Sequence, residues 1–148
     1  MQALPLEDLK TPALRRLLQD WEDRRRGRDL PARKDFDPAD IRYIVGNLSL
    51  VEVLRDPLDF RFRIHATNVA ERMGFDLTGK MLTALPDQQY AALIRQHYTE
   101  TVTLRRPVAR YRNRVMTDQH TWHCEVLVLP LSSDGKTVDM LMSAFVWL

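Results

Sequence analysis

Histidine and cysteine are the residue types here best suited to bind a metal, but their spacing does not make a metal site. The four histidines are His65, His97, His120 and His123, and Cys124 is the single cysteine. Metal ligands often recur at spacings such as H-x-x-x-H or C-x-x-C, and the sequence has neither. His123 and Cys124 are neighbours on a predicted strand, so their side chains point to opposite faces. We predict no metal site and expect surface or hydrogen-bonded histidines.

Motifs for catalysis are also missing. Acid–base and nucleophilic catalysis need groups within hydrogen-bond reach of each other. The sequence contains no G-x-S-x-G and no G-x-x-x-x-G-K-[ST] motif. Glu125 lies between apolar residues, and we interpret it as the partner of Arg110, Arg112 or Arg114 across two strands rather than as a general base. We therefore predict no catalytic residue and expect the protein not to be an enzyme.

Arginine occupies every second position of the segment Arg110-Tyr111-Arg112-Asn113-Arg114. Strand alternation places the three arginines on one face. One interpretation is a solvated edge face, which discourages pairing with other chains. The other is a site for an anion or phosphate, because guanidinium groups bind such ligands through paired N–H donors. Arg61 and Arg63, on another predicted strand, could extend that site.

Helix-starting residues mark the first third of the chain. Thr11 as N-cap and Pro12 in the first turn start a helix that Gly27 ends. Its apolar stripe, with the spacing i, i+3, i+4 and i+7, consists of Leu14, Leu17, Leu18 and Trp21. Asp37-Pro38 starts a second, short helix that ends near Gly46-Asn47.

The rest of the chain predicts two strands, a helical crossing and three more strands. Short helices fill residues 67–85, and the longest helix covers residues 86–104. The turns are predicted at Asp56-Pro57, Asp118-Gln119 and residues 132–136. The predicted strands are Leu48 to Leu54, Phe60 to Ile64, and roughly residues 108–116, 121–129 and 137–147. Hairpins at both ends allow one antiparallel sheet whose first and last strands meet in the middle.

Composition fits one globular domain, with 148 residues, 45% of them hydrophobic and 28% charged. A net charge of only +2 makes nucleic acid an unlikely partner. No apolar stretch reaches the roughly 18 residues of a membrane span, and no signal-peptide pattern is present. We expect a cytoplasmic location, a flexible N-terminus at residues 1–10 and a single domain at residues 11–148, whose N-terminal helix covers residues 11–27.

A set of short motifs occurs in a fixed order along about residues 12–148. They are Trp21, Pro31-Ala32-Arg33, Asp35, Asp37-Pro38, Leu48 to Val53, Phe60-Arg61-Phe62-Arg63-Ile64, Thr67, Asp76-Leu77-Thr78-Gly79, Pro107, Glu125 and Leu129-Pro130-Leu131. In this order and spacing they resemble the stand-alone PAS-like family found in many bacteria, a branch of the PAS superfamily. The family implies an α+β fold with a five-stranded antiparallel sheet, here with helices on one face and an extra N-terminal helix. It also implies a sensory or interaction role.

A PAS-like fold implies a cavity between the sheet and the helical crossing. The residues predicted to line it are Phe62, Ile64, Met73, Phe75, His97, Tyr98, Trp122, Cys124, Met142 and Ala144. An ordinary core would use the same residue types. Two interpretations of His97 follow: it ligates haem or donates to another ligand, or it is a core histidine bonded to a backbone carbonyl.

We predict a PAS-like sensory or regulatory domain that binds a small ligand or a partner protein and is not catalytic; the sequence does not identify a cofactor. The stripe formed by Leu14, Leu17, Leu18 and Trp21 is predicted to be a homodimer contact. One alternative is a small cone-shaped α+β enzyme of the dehydratase or isomerase kind, with His97 bonded to a buried carboxylate. Another is a ligand-free adaptor, whose cavity would be filled by its own side chains.

Overall fold

Six strands form a single antiparallel sheet in the computed structural model, which describes residues 2–116 and 119–148. The strands are β1 (Gln2–Leu4), β2 (Leu48–Leu54), β3 (Asp59–Ile64), β4 (Val108–Val115), β5 (Thr121–Leu131) and β6 (Met140–Trp147). Their order across the sheet is β1-β4-β5-β6-β2-β3. The early hairpin therefore joins the late strands through the β2–β6 pair, which confirms the predicted α+β fold and its central pairing.

Three α-helices accompany the sheet, and most of their boundaries follow from local sequence. They are α1 (Pro12–Arg25), α2 (Thr67–Met73) and α3 (Gln88–Leu104). Helix α1 starts at Pro12 as predicted, but its left-handed ending already begins at Arg26, one residue before Gly27. Where a second short helix was predicted, the chain forms two 3₁₀ turns at Pro38–Ile41 and Val45–Asn47. No helix of the described ranges is long and apolar enough to cross a membrane.

The N-terminal residues differ from the predicted flexible segment. Gln2–Leu4 forms the edge strand β1, which pairs with β4, and Leu6–Asp8 forms a 3₁₀ turn. Leu9 is buried in the core. A strand of three residues followed by Pro5 is too short to show alternation in the sequence, so the sheet has one strand more than the five predicted.

Helices α2 and α3 lie on one face of the sheet, as predicted, and the extra N-terminal helix α1 covers the other face. Helix α3 packs on the face that carries Arg112, whose guanidinium contacts Tyr90 of that helix. Helix α1 lies on the opposite face, where Glu125 of β5 holds the backbone of Thr11 at the start of the helix. We call these the α3 face and the α1 face. Because adjacent residues of a strand point to opposite faces, each strand contributes to both.

The apolar stripe of α1 belongs to the core of the protein itself. Leu14 and Leu17 are fully buried, Trp21 is nearly so, and Leu18 is partly buried against the same core. The indole Nε1 of Trp21 donates to the backbone oxygen of Pro130 at 2.8 Å. The α1 face of the sheet therefore covers these side chains within a single chain, which leaves little of the stripe for the predicted contact, and the homodimer stays a prediction.

The two predicted late turns have different outcomes. In the β5–β6 connection, Asp134 Oδ1 accepts the backbone N–H groups of Lys136 and Thr137 at 2.8 Å, as expected of a turn aspartate. Strand β6 then begins at Met140, later than the predicted residue 137. In the β4–β5 hairpin, Asp118 of the predicted turn lies outside the described residues.

Candidate ligand cavity

An interior cavity lies between the α3 face of the sheet and helices α2 and α3. Its volume is about 30 Å³, room for on the order of one or two water molecules. The lining residues are Ser49, Phe62, His65, Val69, Met73, Leu77, Tyr90, Ile94, Tyr98, Arg112, Ser143 and Phe145. The wall is mostly apolar, and the guanidinium of Arg112 is its one permanently charged group.

A second void, which we call the crevice, opens beside the cavity and has a volume of about 110 Å³. Its lining residues are Arg72, Met73, Phe75, Leu85, Pro86, Asp87, Tyr90, Met116 and Trp122. Cavity and crevice share the lining residues Met73 and Tyr90, so the two voids adjoin at these side chains. Met73 is partly buried, and a methionine side chain changes rotamer readily because it is unbranched.

Part of the predicted lining lies where the sequence placed it. Phe62, Met73 and Tyr98 line the cavity, and Phe75 and Trp122 line the crevice. Cys124, which was also predicted there, lines neither void; it is buried on the α3 face, where its thiol donates to the backbone oxygen of Arg112. Burial raises the pKa of this thiol to about 12, which keeps it protonated and unreactive.

Met142 and Ala144 were predicted at the cavity but lie on the α1 face. Met142 is the partner of Leu129, and Ala144 is the partner of Leu127. The residues of β6 that reach the α3 face are Ser143 and Phe145, which alternate with them. An error of one position along a strand moves a side chain to the other face, because the side-chain period is two residues.

Ile64 is also misplaced by the prediction, and a bulge explains why. Phe62 pairs with Val51, but Ile64 pairs with Leu50, so the register shifts between these two β2 residues. The extra residue turns Ile64 to the α1 face, where it is 44% exposed. His65 points inward instead and lines the cavity. The sequence had placed His65 on a polar outer face.

His65 is held by the backbone of the loop that follows α2. Its Nδ1 accepts the N–H of Leu77 at 3.0 Å, so in the neutral ring Nε2 carries the proton. Burial lowers the pKa of His65, although Asp76, 3.8 Å from Nδ1, opposes that shift. Burial likewise raises the pKa of Tyr98 to about 12. Both side chains therefore meet the cavity as neutral groups at pH 7.

Arg112 is the most unusual group of the cavity, because it is buried without a carboxylate. Its residue is 5% exposed. Nη1 donates to the hydroxyl of Tyr90 at 2.9 Å, Nη2 lies 3.4 Å from Nδ1 of His97, and Nε is buried with no partner. The rings of Tyr90 and Phe145 lie 5.5 and 5.8 Å from its Cζ. Within residues 2–116 and 119–148, no carboxylate forms an ion pair with it.

His97 lies behind Arg112 rather than in the cavity wall. Its Nε2 is 2.8 Å from the backbone oxygen of Val108, which can only accept, so Nε2 carries the proton. Nδ1 is then the unprotonated nitrogen and faces Arg112. Burial, together with the positive charge of Arg112, lowers the pKa of His97 to about 3. Both ring nitrogens are engaged, so the structure supports the core-histidine interpretation rather than haem ligation.

The two arginines that flank Arg112 on the α3 face each have an acidic partner. Arg110 pairs with Glu100 of α3. Arg114 pairs with Asp87, the N-cap of α3, with Nη2 3.1 Å from Oδ2. The interpretation of a solvated edge face is wrong, because β4 lies between β1 and β5 under helix α3.

Glu125 does not pair with these arginines, contrary to the prediction. It lies on the α1 face, where its carboxylate accepts the N–H groups of Lys10 and Thr11, both at 2.9 Å, and the hydroxyl of Thr11 at 2.6 Å. Arg61 does not extend the arginine site either, since it pairs with Glu52 at 2.6 Å on the α1 face.

Sequence reasoning missed several residues of this site. It did not place Tyr90, Ser49, Ser143 or Phe145 at the cavity, and it named Arg112 only as one of three equivalent arginines. With the inward face of β6 assigned correctly, alternation along the strand would have placed Ser143 and Phe145 at the cavity. Among the described residues, no group of three histidine, cysteine or acidic side chains comes close enough to hold a metal ion.

Comparison with known proteins agrees with this architecture. A family model described as a PAS domain matches residues 9–146. The fold is similar to the PAS domain of BvgS from Bordetella pertussis (TM-score 0.55, 14% identity, 70% of this chain and 77% of that one). It is also similar to a sensory box sensor histidine kinase from Vibrio cholerae (TM-score 0.53, 13% identity, 68% and 82% covered).

A LOV protein from Rhodobacter sphaeroides is a third similar structure (TM-score 0.51, 12% identity, 76% of this chain and 69% of that one covered). Identities this low show a common fold and nothing more. A search of curated proteins gave no significant match. The family match, however, spans nearly the whole chain. The chain therefore belongs to the PAS-domain family.

Proposed function

We propose that this PAS domain is a sensory or regulatory module in which a small molecule binds in the cavity between the sheet and helices α2 and α3. The observation that carries the proposal is that cavity and crevice adjoin. Among the described residues, Met73 and Tyr90 line both voids, and a rotamer change of Met73 would join them into one larger site. The crevice would then be the entrance.

The sheet gives this site a mechanical connection to the N-terminal segment. Arg112 of β4 faces the cavity, and Cys124, its partner on β5, is followed directly by Glu125. Glu125 holds Lys10 and Thr11 at the start of α1 on the opposite face. A ligand that shifts β4 and β5 would therefore alter the hold on α1, and we propose that the N-terminal segment carries the output.

Native mass spectrometry of freshly purified protein, beside an absorbance spectrum, tests ligand binding without assuming the ligand. A thermal-shift screen with a mixed metabolite library complements it. Val69→Phe would fill the cavity with a ring, and Val69→Ala is the matched control that leaves the space open. We expect a bound mass, or a thermal response, in the wild-type protein and in Val69→Ala but not in Val69→Phe. Responses that are the same in all three proteins would contradict the proposal.

A ligand-free adaptor is the second candidate, and the small volume of the cavity favours it. Only about 30 Å³ remains unfilled, so the side chains of the protein itself occupy nearly all of the space between the sheet and the helices. An apo mass together with no response in the thermal screen would support the adaptor. The catalytic alternative lacks the feature it requires, because the described contacts of His97 are Val108, Arg112 and no carboxylate.

A further inference from the structure

We infer that the ligand is a small organic acid with an apolar body, and that its carboxylate binds the guanidinium of Arg112. The inference rests on the proposed function, since it names the chemical class that the same cavity would take. In this arrangement Arg112 binds the ligand directly. Tyr90 and His97 are positioning residues, because they hold the guanidinium of Arg112 in place.

The pattern of ion pairs on β4 shows what Arg112 lacks. On the same face, Arg110 has Glu100 and Arg114 has Asp87. Arg112 lies between them and deeper than both, yet no acidic side chain among the described residues reaches it. Burying a charge without an opposite charge is costly, and buried ions in proteins are normally paired. A carboxylate supplied by a ligand would give Arg112 the acidic partner that Arg110 and Arg114 already have.

The hydrogen bonds of Arg112 leave donors for such a ligand. A guanidinium has five N–H donors, and here one goes to the Tyr90 hydroxyl and one to Nδ1 of His97. Nε is buried without a partner, as is Nε of Arg114, and each terminal nitrogen of Arg112 makes one described hydrogen bond, which leaves its second hydrogen for a ligand. Two adjacent N–H groups of an arginine match the two oxygens of a carboxylate.

Tyr90 and His97 fix the orientation of this fork. His97 is neutral, with the proton on Nε2, so its Nδ1 can only accept a hydrogen bond from Arg112. The Tyr90 oxygen accepts from Nη1, which leaves the phenolic hydrogen to be donated to a ligand oxygen. Neither side chain neutralises the charge, so both hold the guanidinium in place without replacing the missing anion.

The other residues of the cavity wall determine which ligand body would fit beside the carboxylate. Phe62, Val69, Ile94 and Phe145 are apolar, and the wall contains no carboxylate that would favour a cationic ligand. A single guanidinium balances one negative charge, which suits a monocarboxylate better than a phosphate dianion. An acid longer than a few atoms would displace Met73 and extend its apolar body towards Phe75 and Trp122 in the crevice.

Butyrate, hexanoate and phenylacetate, each beside its primary amide, are the probes for this inference. Each would be titrated by calorimetry and thermal shift at constant ionic strength. We expect the acids to bind and to raise Tm, and the amides of equal size to do neither. Arg112→Gln should weaken acid binding about ten- to hundredfold, the usual weight of a hydrogen bond to a charged group. Arg110→Gln, on the same face but paired with Glu100, is the matched control and should bind as the wild type does.

Three outcomes would overturn the inference: amides that bind as well as the acids, acid binding that persists in Arg112→Gln, and no binding by any of the acids. The comparison of acid with amide needs no variant, so it stands even if Arg112→Gln folds poorly. A neutral compound found by native mass spectrometry would overturn the inference and leave the proposed function intact. An apo mass with no response to the library or to the acids would remove both.

Discussion

Arg112 and Glu125 occupy opposite faces of one two-stranded ladder and hold opposite layers of the protein. Arg112 contacts Tyr90 of α3 at 2.9 Å, and Glu125 accepts the Thr11 N–H at the start of α1, also at 2.9 Å. In the register of β4 and β5, Glu125 pairs with Tyr111, the residue before Arg112. The cavity and the N-terminal helix are therefore supported by the same two strands, and the proposed output through the N-terminal segment depends on this connection.

Glu125→Gln tests the outer half of this relationship. The carboxylate accepts three close hydrogen bonds from Lys10 and Thr11, and charged acceptors bind backbone N–H groups more strongly than neutral ones. We expect a loss of about 1–2 kcal/mol in the free energy of unfolding. Hydrogen exchange should accelerate at Lys10 and Thr11, while the amides of α3 keep their protection. Equal protection of the N-terminal segment in variant and wild type would contradict this role of Glu125.

Leu17→Ala tests whether the stripe of α1 belongs to the core. Leu17 is fully buried within a single chain, so the truncation should cost about 2–5 kcal/mol of stability. Because no second chain is needed to cover the stripe, that loss should not depend on protein concentration. Sedimentation beside chemical denaturation measures both quantities. A stability loss that shrinks at high protein concentration would support the stripe as a subunit contact.

Arg112→Met tests the cost of the buried charge in the absence of ligand. A methionine of similar length removes the uncompensated guanidinium charge but also leaves the Tyr90 hydroxyl and His97 Nδ1 without this partner. The two effects oppose each other, so we expect stability to change by less than about 1 kcal/mol. Arg114→Met is the matched comparison, and it should lower stability by about 1–3 kcal/mol because it leaves Asp87 without its partner. Chemical denaturation at pH 7 measures both. An equal loss in the two variants would show that Arg112 is as well satisfied as Arg114.

The sequence was sufficient to predict the helices and strands of this fold, but not which face of the sheet each strand residue reaches. Alternation and turn residues located five of the strands, and the helix-starting residues located α1 and α3. The bulge in the β2–β3 pair has no sequence mark, and it reverses Ile64 and His65. The same one-residue uncertainty placed Met142 and Ala144 at the cavity in place of Ser143 and Phe145.

The candidate site was less predictable than the fold because it depends on three-dimensional pairing. In the sequence Arg110, Arg112 and Arg114 are equivalent by alternation. They become different only when α3 places Glu100 and Asp87 beside the outer two and His97 beside the middle one. The burial of α1 was equally hidden, because an apolar stripe shows that a helix is covered but not by what.

The buried histidines predict how stability depends on pH. His97 has a folded-state pKa of about 3, and His65 also has a lowered pKa, whereas an unfolded histidine titrates near pH 6.5. Below that pH these histidines are therefore protonated in the unfolded chain but remain neutral in the folded protein. Stability is complete above about pH 6.5 and falls as the pH drops towards the folded pKa.

For His97 the loss should reach about 2 kcal/mol between pH 7 and pH 5, a window above the titration of unfolded carboxylates. Urea denaturation across this window measures it. His97→Gln should flatten the slope in part, with His65 keeping the remainder, because glutamine can donate to Val108 without titrating. His123→Gln, at an exposed position, is the control and should keep the full slope. If His97→Gln retained the wild-type slope, His97 would have to take up its proton in the folded protein over the same pH range as in the unfolded chain. A cation next to the Arg112 guanidinium would then need an anion close by.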